Sequence, residues 1–382
     1  MPSVVRSLPT PEAEALLELT RDLVDAELAP RAAAFEQRSE FPREVFRTLG
    51  KAGLLGLPYP EEHGGGAQPY EVYLQVLEEL SRGWLAVGLG VSVHTLSCFP
   101  LAAFGSTRQR EQWLPDMLGG ELLGAYCLSE PSSGSDAAAL TTRAVRDGEE
   151  FVVDGTKAWV THGGEADFYN LMVRTGGPGP KGISCLLAPA ATPGLSAAAP
   201  ERKTGMRSST TASIRLDGAR VPADRLLGEE GIGFRIAMSA LDGGRLGIAA
   251  CAVGLAQSAL DLAVDYAKER TQFGRRIADF QGLSFLLADM ATQVEAARSL
   301  YLAAARRRDA GQPYGPQAAM AKLFATDTGM RVATDAVQVL GGYGYVEDFP
   351  AERYLREAKI LQIVEGTNQV QRLVIGRSLT GP

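Results

Sequence analysis

The sequence contains few of the residues that build metal centres, and it has no long apolar segment. Its four cysteines, Cys98, Cys127, Cys185 and Cys251, are widely separated, and only three histidines accompany them. No C-x-x-C pair or other ligand spacing is present, so no zinc framework can be built. Isolated cysteines of this kind are typical of buried thiols in a reducing cytoplasm. The longest apolar runs, such as residues 248–256, are too short and too rich in small residues to span a membrane.

Several other signals are missing. Residues 1–10 contain Arg6 and two prolines but no apolar segment, so they do not indicate a signal peptide. The net charge of −7 argues against general nucleic-acid binding, which requires a basic surface. No G-x-G-x-x-G motif leads from a strand into a helix, and no P-loop is present. We therefore predict a cytoplasmic protein that meets any anionic ligand with local arginines and helix N-termini.

With 382 residues, the chain is long enough for two or three packed units. From residue 10 to about residue 122 the pattern is helical, and Pro11 followed by acidic residues and leucines marks a helix start. Helices are indicated again after residue 233, where apolar side chains recur at steps of three and four over Ile248–Tyr266 and Leu283–Tyr301. Two long stripes of this period are typical of antiparallel bundle helices.

The middle third of the chain has a different sequence pattern. Between residues 123 and about 225, β-like runs surround Asp-Gly pairs, at positions 154–155 and 217–218, and this is a hairpin signal. We therefore predict an α+β chain with three domains: an N-terminal α-helical domain at residues 1–122, a middle β domain at residues 123–232, and a C-terminal α-helical bundle at residues 233–382.

Four short strings, widely spaced along the chain, indicate a particular family. They are Tyr126–Asp136, Trp159–Thr161, Arg270–Gly274 and Ile363–Arg372, the last of which contains Glu365. In this order and spacing they resemble the acyl-CoA dehydrogenase family of flavoenzymes, of the short-, medium- or branched-chain type. The resemblance extends over nearly the whole chain. It implies an N-terminal helical bundle, a small antiparallel barrel or sandwich in the middle, and a C-terminal four-helix bundle, with FAD between the last two.

The resemblance also implies an activity. The enzyme would dehydrogenate an acyl-CoA thioester to trans-2-enoyl-CoA, with Glu365 removing the α-proton and flavin N5 taking the β-hydride. The electrons would pass to an electron-transfer flavoprotein, as in fatty-acid β-oxidation. A carboxylate between an apolar acyl channel and the flavin would have its pKa raised by desolvation. The backbone N–H of Glu365 and a ribityl hydroxyl of FAD would stabilise the negative charge that develops on the thioester oxygen.

Two groups of residues are expected to bind FAD by this resemblance. One group surrounds the flavin, where Ser129 would bond the pyrimidine edge and Thr161 flavin N5; its members are Tyr126, Leu128, Ser129, Ser135, Trp159, Thr161, Thr367 and Gln369. A second group would reach the FAD of a neighbouring subunit: Arg270, Gln272, Phe273, Gln281, Gln338, Gly341 and Gly342. The flavin site would then be completed across a dimer interface, so the resemblance implies a homotetramer built as a dimer of dimers.

A third group is expected to bind the thioester. The resemblance places Asp242 and Arg245 on the CoA moiety near its pantetheine, although the i, i+3 spacing alone would also fit a local ion pair. Ser135 and Gly366 would touch the thioester, and residues around Ser92–Phe99 would line the acyl pocket. Because consecutive helical residues point in different directions, we interpret Arg306–Arg308 as a solvated face.

Three alternatives differ from this hypothesis in testable ways. A decarboxylating relative acting on a dicarboxylyl-CoA would need a cation at the acyl end of the pocket. Residues 88–97 contain no arginine or lysine, and His94 is their only basic side chain. An oxidase that reacts with oxygen is disfavoured, because such relatives are generally longer chains. A non-catalytic acyl-CoA-binding relative would have lost the base or the flavin contacts, whereas Glu365, Ser129, Thr161 and Arg270 are all present.

Overall fold

The structure is a computed structural model that describes Val4 and residues 6–381. The N-terminal part is helical. The first helix begins at Pro11, as predicted, and the hydroxyl of Thr10 caps it by accepting a hydrogen bond from the backbone N–H of Ala13. Within the described residues, six α-helices precede the first strand: α1 (Pro11–Leu23), α2 (Ala29–Arg38), α3 (Arg43–Lys51), α4 (Tyr70–Gly83), α5 (Leu85–Phe104) and α6 (Thr107–Leu118).

The middle part is a single sheet of eight strands. The strands are β1 (Gly124–Cys127), β2 (Arg143–Asp147), β3 (Glu150–Thr161), β4 (Phe168–Arg174), β5 (Ile183–Pro189), β6 (Leu195–Ala197), β7 (Thr211–Pro222) and β8 (Leu226–Leu227). Their order is β6-β7-β3-β2-β4-β5-β8, and β1 pairs with β4. The β domain expected from the sequence is confirmed. Its sheet is mixed, because β1 and β2 both pair with β4 in parallel while the other neighbours are antiparallel.

The hairpin prediction at the two Asp-Gly pairs was wrong. Both pairs lie inside long strands, β3 and β7, which run antiparallel to one another. The register between these strands shifts between Val153 and Gly155, and Gly218 on the other strand has a φ of 58°. A glycine with unusual φ serves a β-bulge as well as a turn, so the local sequence does not distinguish them. The true hairpin joins β2 to β3 and turns at Gly148.

The C-terminal part is again helical. Both predicted apolar stripes are confirmed, since each lies within one long helix. The elements are α7 (Gly233–Glu269), a small hairpin of β9 (Thr271–Gln272) and β10 (Arg275–Arg276), α8 (Gln281–Asp309), α9 (Gly315–Leu340), α10 (Ala351–Leu361) and α11 (Asn368–Thr380).

One hydrophobic core joins the two helical parts, with Leu77 of α4 and Val253 of α7 among its members. The four cysteines are all buried and carry free thiols. By length and composition, α5 and α7 could cross a membrane. However, 89% and 83% of the most apolar 18-residue segment of each helix is buried inside the protein, as in core helices. These two helices and α4 form the walls of the site described below.

Candidate active site

Glu365 lies in the turn between α10 and α11, in a conformation that few residues adopt. Its φ is 51°, and that of the following Gly366 is 92°. A non-glycine residue with positive φ is uncommon and is often found at functional sites. A Cβ added at Gly244 of α7 would overlap the Oε2 atom of Glu365, so the carboxylate occupies space that only glycine leaves open. Within the described part of the chain, neither carboxylate oxygen has a hydrogen-bond partner, and both are buried.

This environment changes the acidity of the carboxyl group. Burial raises the pKa of Glu365 to about 7, and the cations Lys322 and Arg245 oppose that shift. The direction is the one expected from the sequence. A carboxylate with a pKa near neutrality can accept a proton at physiological pH and return it afterwards, which is the property of a general base.

The pKa of Glu365 leads to a prediction about stability. The pKa of Glu365 is about 7 in the folded protein and 4.5 without the folded environment. Between these pH values the folded protein binds more protons than the unfolded chain, so its stability falls as pH rises from about 4.5 to about 7. Glu365→Gln removes the titration. The melting temperature of the variant minus that of the wild type should therefore be larger at about pH 8 than at about pH 5. Thermal denaturation at both values tests this. Replacing the exposed Glu121 with glutamine is the control, and an equal trend in that variant would contradict the explanation.

A cavity that includes Gly244 in its wall lies next to this carboxylate. Residues around 92–99 were predicted to line the acyl pocket, and four of them line this cavity: Ser92, Thr95, Leu96 and Phe99. The opposite walls come from α7 and from the tyrosines Tyr59, Tyr70 and Tyr314. The cavity is therefore partly apolar and partly hydroxyl-lined.

The interpretation of Arg306–Arg308 as a solvated face was wrong for one residue. Arg306 is exposed and pairs with Glu71 at 2.7 Å. Arg308, two positions on, places its guanidinium 3.4 Å from the centre of the Tyr70 ring and lines the cavity. Neighbouring helical residues point about 100° apart, so one arginine of the three can enter the interior while another stays in water.

Asp242 and Arg245 form the ion pair that their spacing allows, with Nη1 and Oδ1 2.6 Å apart. The pair is more than a surface contact, because Arg245 is 6% exposed. Its Nε has no partner among the described residues. Burial raises the pKa of Asp242, which Arg245 counteracts. A buried guanidinium with a free donor beside the cavity is suited to bind a polar or anionic ligand.

Trp159 is turned out of the sheet by a second irregularity. The register between β3 and β7 shifts again between Lys157 and Val160, and Trp159 has a φ of 60°. A bulge re-aims the side chain that it contains, and the indole is 66% exposed. The backbone N–H of Ala158, the residue before Trp159, donates to the carbonyl of Ser129 at 2.9 Å. This bond joins the loop after β1 to the irregular part of β3.

The loop after β1 is anchored by an ion pair that sequence reasoning missed. Lys157 is fully buried and donates to a carboxylate oxygen of Glu130 at 2.8 Å and to the carbonyl of Leu128 at 3.2 Å. The Glu130 carboxylate also accepts from the backbone N–H groups of Thr141 and Thr142. No local pattern distinguishes this lysine from an exposed one.

The other residues predicted to surround the flavin lie as follows. Tyr126 has a buried hydroxyl without a partner in the described structure. Thr161 is half-buried at the end of β3, and Ser135 is exposed in the loop after β1. The Thr367 hydroxyl caps α11 by accepting from the backbone N–H of Val370, and Gln369 is exposed in the first turn of the same helix.

The residues expected to reach a neighbouring subunit form a separate exposed group. Arg270 lies 5.8 Å from the ring of Tyr343, which belongs to the turn at residues 341–344. Phe273 is 93% exposed with a φ of 50°. An exposed phenylalanine in a constrained turn is unusual for a surface in contact with water alone. The remaining members are also exposed: Gln272, Gln281, Gln338, Gly341 and Gly342.

His162 is buried, and its Nδ1 lies 2.9 Å from the carbonyl oxygen of Gly124. Its ring packs against Phe41 and Phe46, which is a structural environment. Across Val4 and residues 6–381, no group of three or more His, Cys, Asp or Glu side chains could hold a metal ion.

Comparison with known proteins identifies relatives over almost the whole length. The sequence matches three family descriptions: "Acyl-CoA dehydrogenase, N-terminal domain" over residues 10–121, "Acyl-CoA dehydrogenase, middle domain" over residues 125–219, and "Acyl-CoA dehydrogenase, C-terminal domain" over residues 231–380. It is 46% identical to an acyl-CoA dehydrogenase of Bacillus subtilis, with 97% of this chain and 99% of that protein covered.

Comparison with solved structures also finds relatives over almost the whole chain. Butyryl-CoA dehydrogenase from Megasphaera elsdenii superposes with a TM-score of 0.96 at 39% identity, covering 98% of this chain and 100% of the other. A chain from a study of the electron transferring flavoprotein of Acidaminococcus fermentans gives a TM-score of 0.97 at 42% identity, covering 99% and 100%.

Proposed function

Because this chain belongs to the acyl-CoA dehydrogenase family, whose members oxidise the α,β bond of acyl-CoA thioesters, we propose that it acts on short-chain acyl-CoA with Glu365 as the base. One observation carries the assignment of the base. The Glu365 carboxylate is buried without a partner at the edge of the cavity, and its pKa is about 7. A free carboxylate held beside a pocket is suited to remove a proton from a bound thioester.

Members of this family are FAD-dependent flavoproteins, and the residues of this chain fit a flavin. The exposed Trp159 indole offers a stacking surface, Ser129 is bonded through its backbone to the adjacent Ala158, and the Tyr126 hydroxyl lacks a partner among the described residues. We propose that these residues, with Leu128, Ser135, Thr161, Thr367 and Gln369, hold the flavin. When bound, FAD supplies the hydride acceptor. Arg245, Asp242, Ser135 and Gly366 would bind and orient the CoA thioester.

The cavity supports a short acyl chain. Its wall contains the aromatic side chains of Tyr59, Tyr70 and Phe99, which limit the length of the acyl chain that it can hold. A related solved structure is a butyryl-CoA dehydrogenase. Similarity to this enzyme supports simple dehydrogenation over the decarboxylating alternative. Arg308 does supply one cation to the cavity wall, which the decarboxylating alternative would require.

The finer details of the assembly belong to the same proposal. The exposed group around Arg270 and Phe273 would complete the flavin site of a second subunit, giving a homotetramer. We place the enzyme in the cytoplasm and in fatty-acid β-oxidation, with an electron-transfer flavoprotein as acceptor. Support for that acceptor comes from the similarity to the chain studied with the Acidaminococcus fermentans flavoprotein.

Replacing Arg245 with alanine should raise the KM for acyl-CoA about tenfold or more and change kcat by less than about threefold. The reason is that a charge-assisted bond to the CoA moiety is lost at a distance from the reacting carbons. Steady-state kinetics at about pH 8.5, where Glu365 is ionised, test this. Arg235→Ala, an exposed arginine on the same helix, is the control. A collapse of kcat with unchanged KM would instead place Arg245 at the reacting centre.

The substrate class can be tested with a panel of thioesters. We expect kcat/KM to be highest for butyryl-CoA or its neighbours in length and to fall steeply for longer acyl chains, because the cavity cannot hold them. Glutaryl-CoA is included to examine the decarboxylating alternative. Faster turnover of long-chain substrates, or release of carbon dioxide from glutaryl-CoA at comparable rates, would overturn the proposed substrate class.

A further inference from the structure

A buried lysine lies behind the turn that carries Glu365. Lys322 of α9 is fully buried, although the helix face to which it belongs is rich in alanines such as Ala318, Ala321 and Ala325. Its ammonium group donates to the carbonyl oxygen of Gly366 and to Oδ1 of Asn368, both at 2.9 Å. A charged side chain is rarely buried unless it is bound on several sides.

A small polar network continues from this lysine. Asn368 donates to the hydroxyl of Thr326 at 2.9 Å and to a carboxylate oxygen of Asp327 at 2.7 Å. The side chain of Gln362, at the start of the turn, donates to the same oxygen of Asp327 at 2.7 Å. Gln371 adds a second donor to the carbonyl of Gly366, at 2.8 Å. The turn between α10 and α11 is therefore held at its beginning, at Gly366 and at its end.

The electrostatic setting singles out the same lysine. The titratable side chains that act on or around Glu365 come from α4, β1, α7 and α9: Tyr70, Tyr73, Tyr126, Arg245, Cys251 and Lys322. Burial raises the pKa values of the tyrosines and the cysteine. Burial lowers the pKa of Lys322 to about 8, with Glu365 opposing the shift, so lysine remains mostly charged at neutral pH. The cations are therefore Lys322 and Arg245, and Arg245 is paired with Asp242.

We propose that Lys322 is a positioning residue for the base: its ammonium group fixes the Gly366 carbonyl, so that the Glu365 carboxylate faces Gly244, and its charge favours the ionised carboxylate. This inference rests on the proposed function of Glu365. Lys322 contacts the turn and not the cavity, since Gly366 and Asn368 accept its bonds. Its effect on the reaction is exerted through the orientation and the charge of another side chain.

A purely structural role would give different results. If Lys322 only satisfied the Gly366 carbonyl, its loss would lower stability and the maximal rate, and the pH dependence of the reaction would not move. If its charge acts on Glu365, the pH dependence moves to higher values, because the ionised base loses a neighbouring cation. The pH at which the rate profile rises and the height of its plateau therefore distinguish the two roles.

Two variants separate charge from hydrogen bonding. Lys322→Gln removes the charge and keeps a donor, whereas Lys322→Met removes both and keeps the length of the side chain. In each variant Gln371 still bonds the Gly366 carbonyl, so one anchor of the turn remains. Thr326→Val is the matched control, since it breaks the same network at Asn368 without changing a charge.

The rate of flavin reduction by butyryl-CoA in the FAD-loaded enzyme is measured anaerobically against pH. We expect the apparent pKa of the profile to rise by about one unit or more in both lysine variants and not in Thr326→Val. At pH values below the pKa this shift corresponds to a rate about tenfold lower. Lys322→Met should in addition have a lower plateau than Lys322→Gln. An unchanged pH profile in the lysine variants would overturn the proposal.

A second readout does not depend on turnover. The ionisation of Glu365 can be followed by its carboxyl infrared bands, with Glu365→Gln as the reference. The titration midpoint should be higher in both lysine variants than in the wild type, and an equal midpoint would refute the role of the charge. If the midpoint shifts while wild-type enzyme is not reduced by any acyl-CoA, the proposed function fails and the electrostatic link between Lys322 and Glu365 stands.

Discussion

Glu365→Gln is expected to lower the rate of flavin reduction by acyl-CoA by about 10⁴-fold while FAD and the thioester still bind. Glutamine preserves the size of the side chain and removes the base. The carboxylates of Asp242 and Glu130 are already engaged by other groups. Asp242 is paired with Arg245, and Glu130 is bound by Lys157 and by backbone N–H groups. The experiment is anaerobic rapid mixing of the FAD-loaded variant with butyryl-CoA, followed by visible absorbance.

The variant should show a flavin spectrum perturbed by the bound thioester without bleaching. Glu365→Asp is the informative companion, because it retains a carboxylate but withdraws it by one methylene group; it should be slow yet faster than the glutamine variant. Rapid bleaching of the flavin in Glu365→Gln would show that another group removes the proton, and the assignment of the base would be wrong.

Arg270→Glu is expected to weaken FAD binding by about tenfold or more and to loosen the oligomer. If Arg270 reaches the pyrophosphate of a neighbouring subunit, the substitution places a carboxylate next to phosphate oxygens, and this like-charge contact is unfavourable in an interface. The residue is exposed and lies beside Tyr343, in the group of exposed side chains that includes Phe273. The measurements are the flavin content of the purified protein, its FAD affinity and its mass in solution.

The control for this experiment is Arg47→Glu, which makes the same change of charge at an exposed arginine of α3. Its flavin content and mass should match those of the wild type. If Arg270→Glu also retains its full flavin complement and its oligomeric state, Arg270 does not reach a shared FAD. The dimer-of-dimers proposal would then lose its main support.

The fold was predictable where the pattern extended over many residues. The stripes in α7 and α8 repeat over several turns, so their period identifies a helix whatever its neighbours are. The Asp-Gly pairs failed because two residues carry little information: the same glycine conformation closes a turn or forms a bulge, and the partner strand decides which. The parallel pairing of β1 and β2 with β4 was likewise out of reach, because it depends on contacts distant in sequence.

The candidate site was identified in the sequence for a different reason. Glu365, Trp159 and Arg270 belong to short strings whose order resembles a family, and such strings can be read without knowledge of packing. Lys322 and Arg308 belong to no such string. Whether a lysine or arginine on a helix is buried depends on which helix covers that face, and this is fixed only when the bundle assembles. A lysine among the alanines in the first half of α9 was a local sign that could have indicated Lys322.

The most direct test of the whole account is an anaerobic titration of the wild-type, FAD-loaded protein with butyryl-CoA. The flavin absorbance should bleach in proportion to the thioester added, and mass spectrometry should find a product lighter by two hydrogens, with the double bond between the α and β carbons. Flavin that stays oxidised with butyryl-CoA and with every other acyl-CoA in the panel, or a protein that cannot be loaded with FAD, would contradict it.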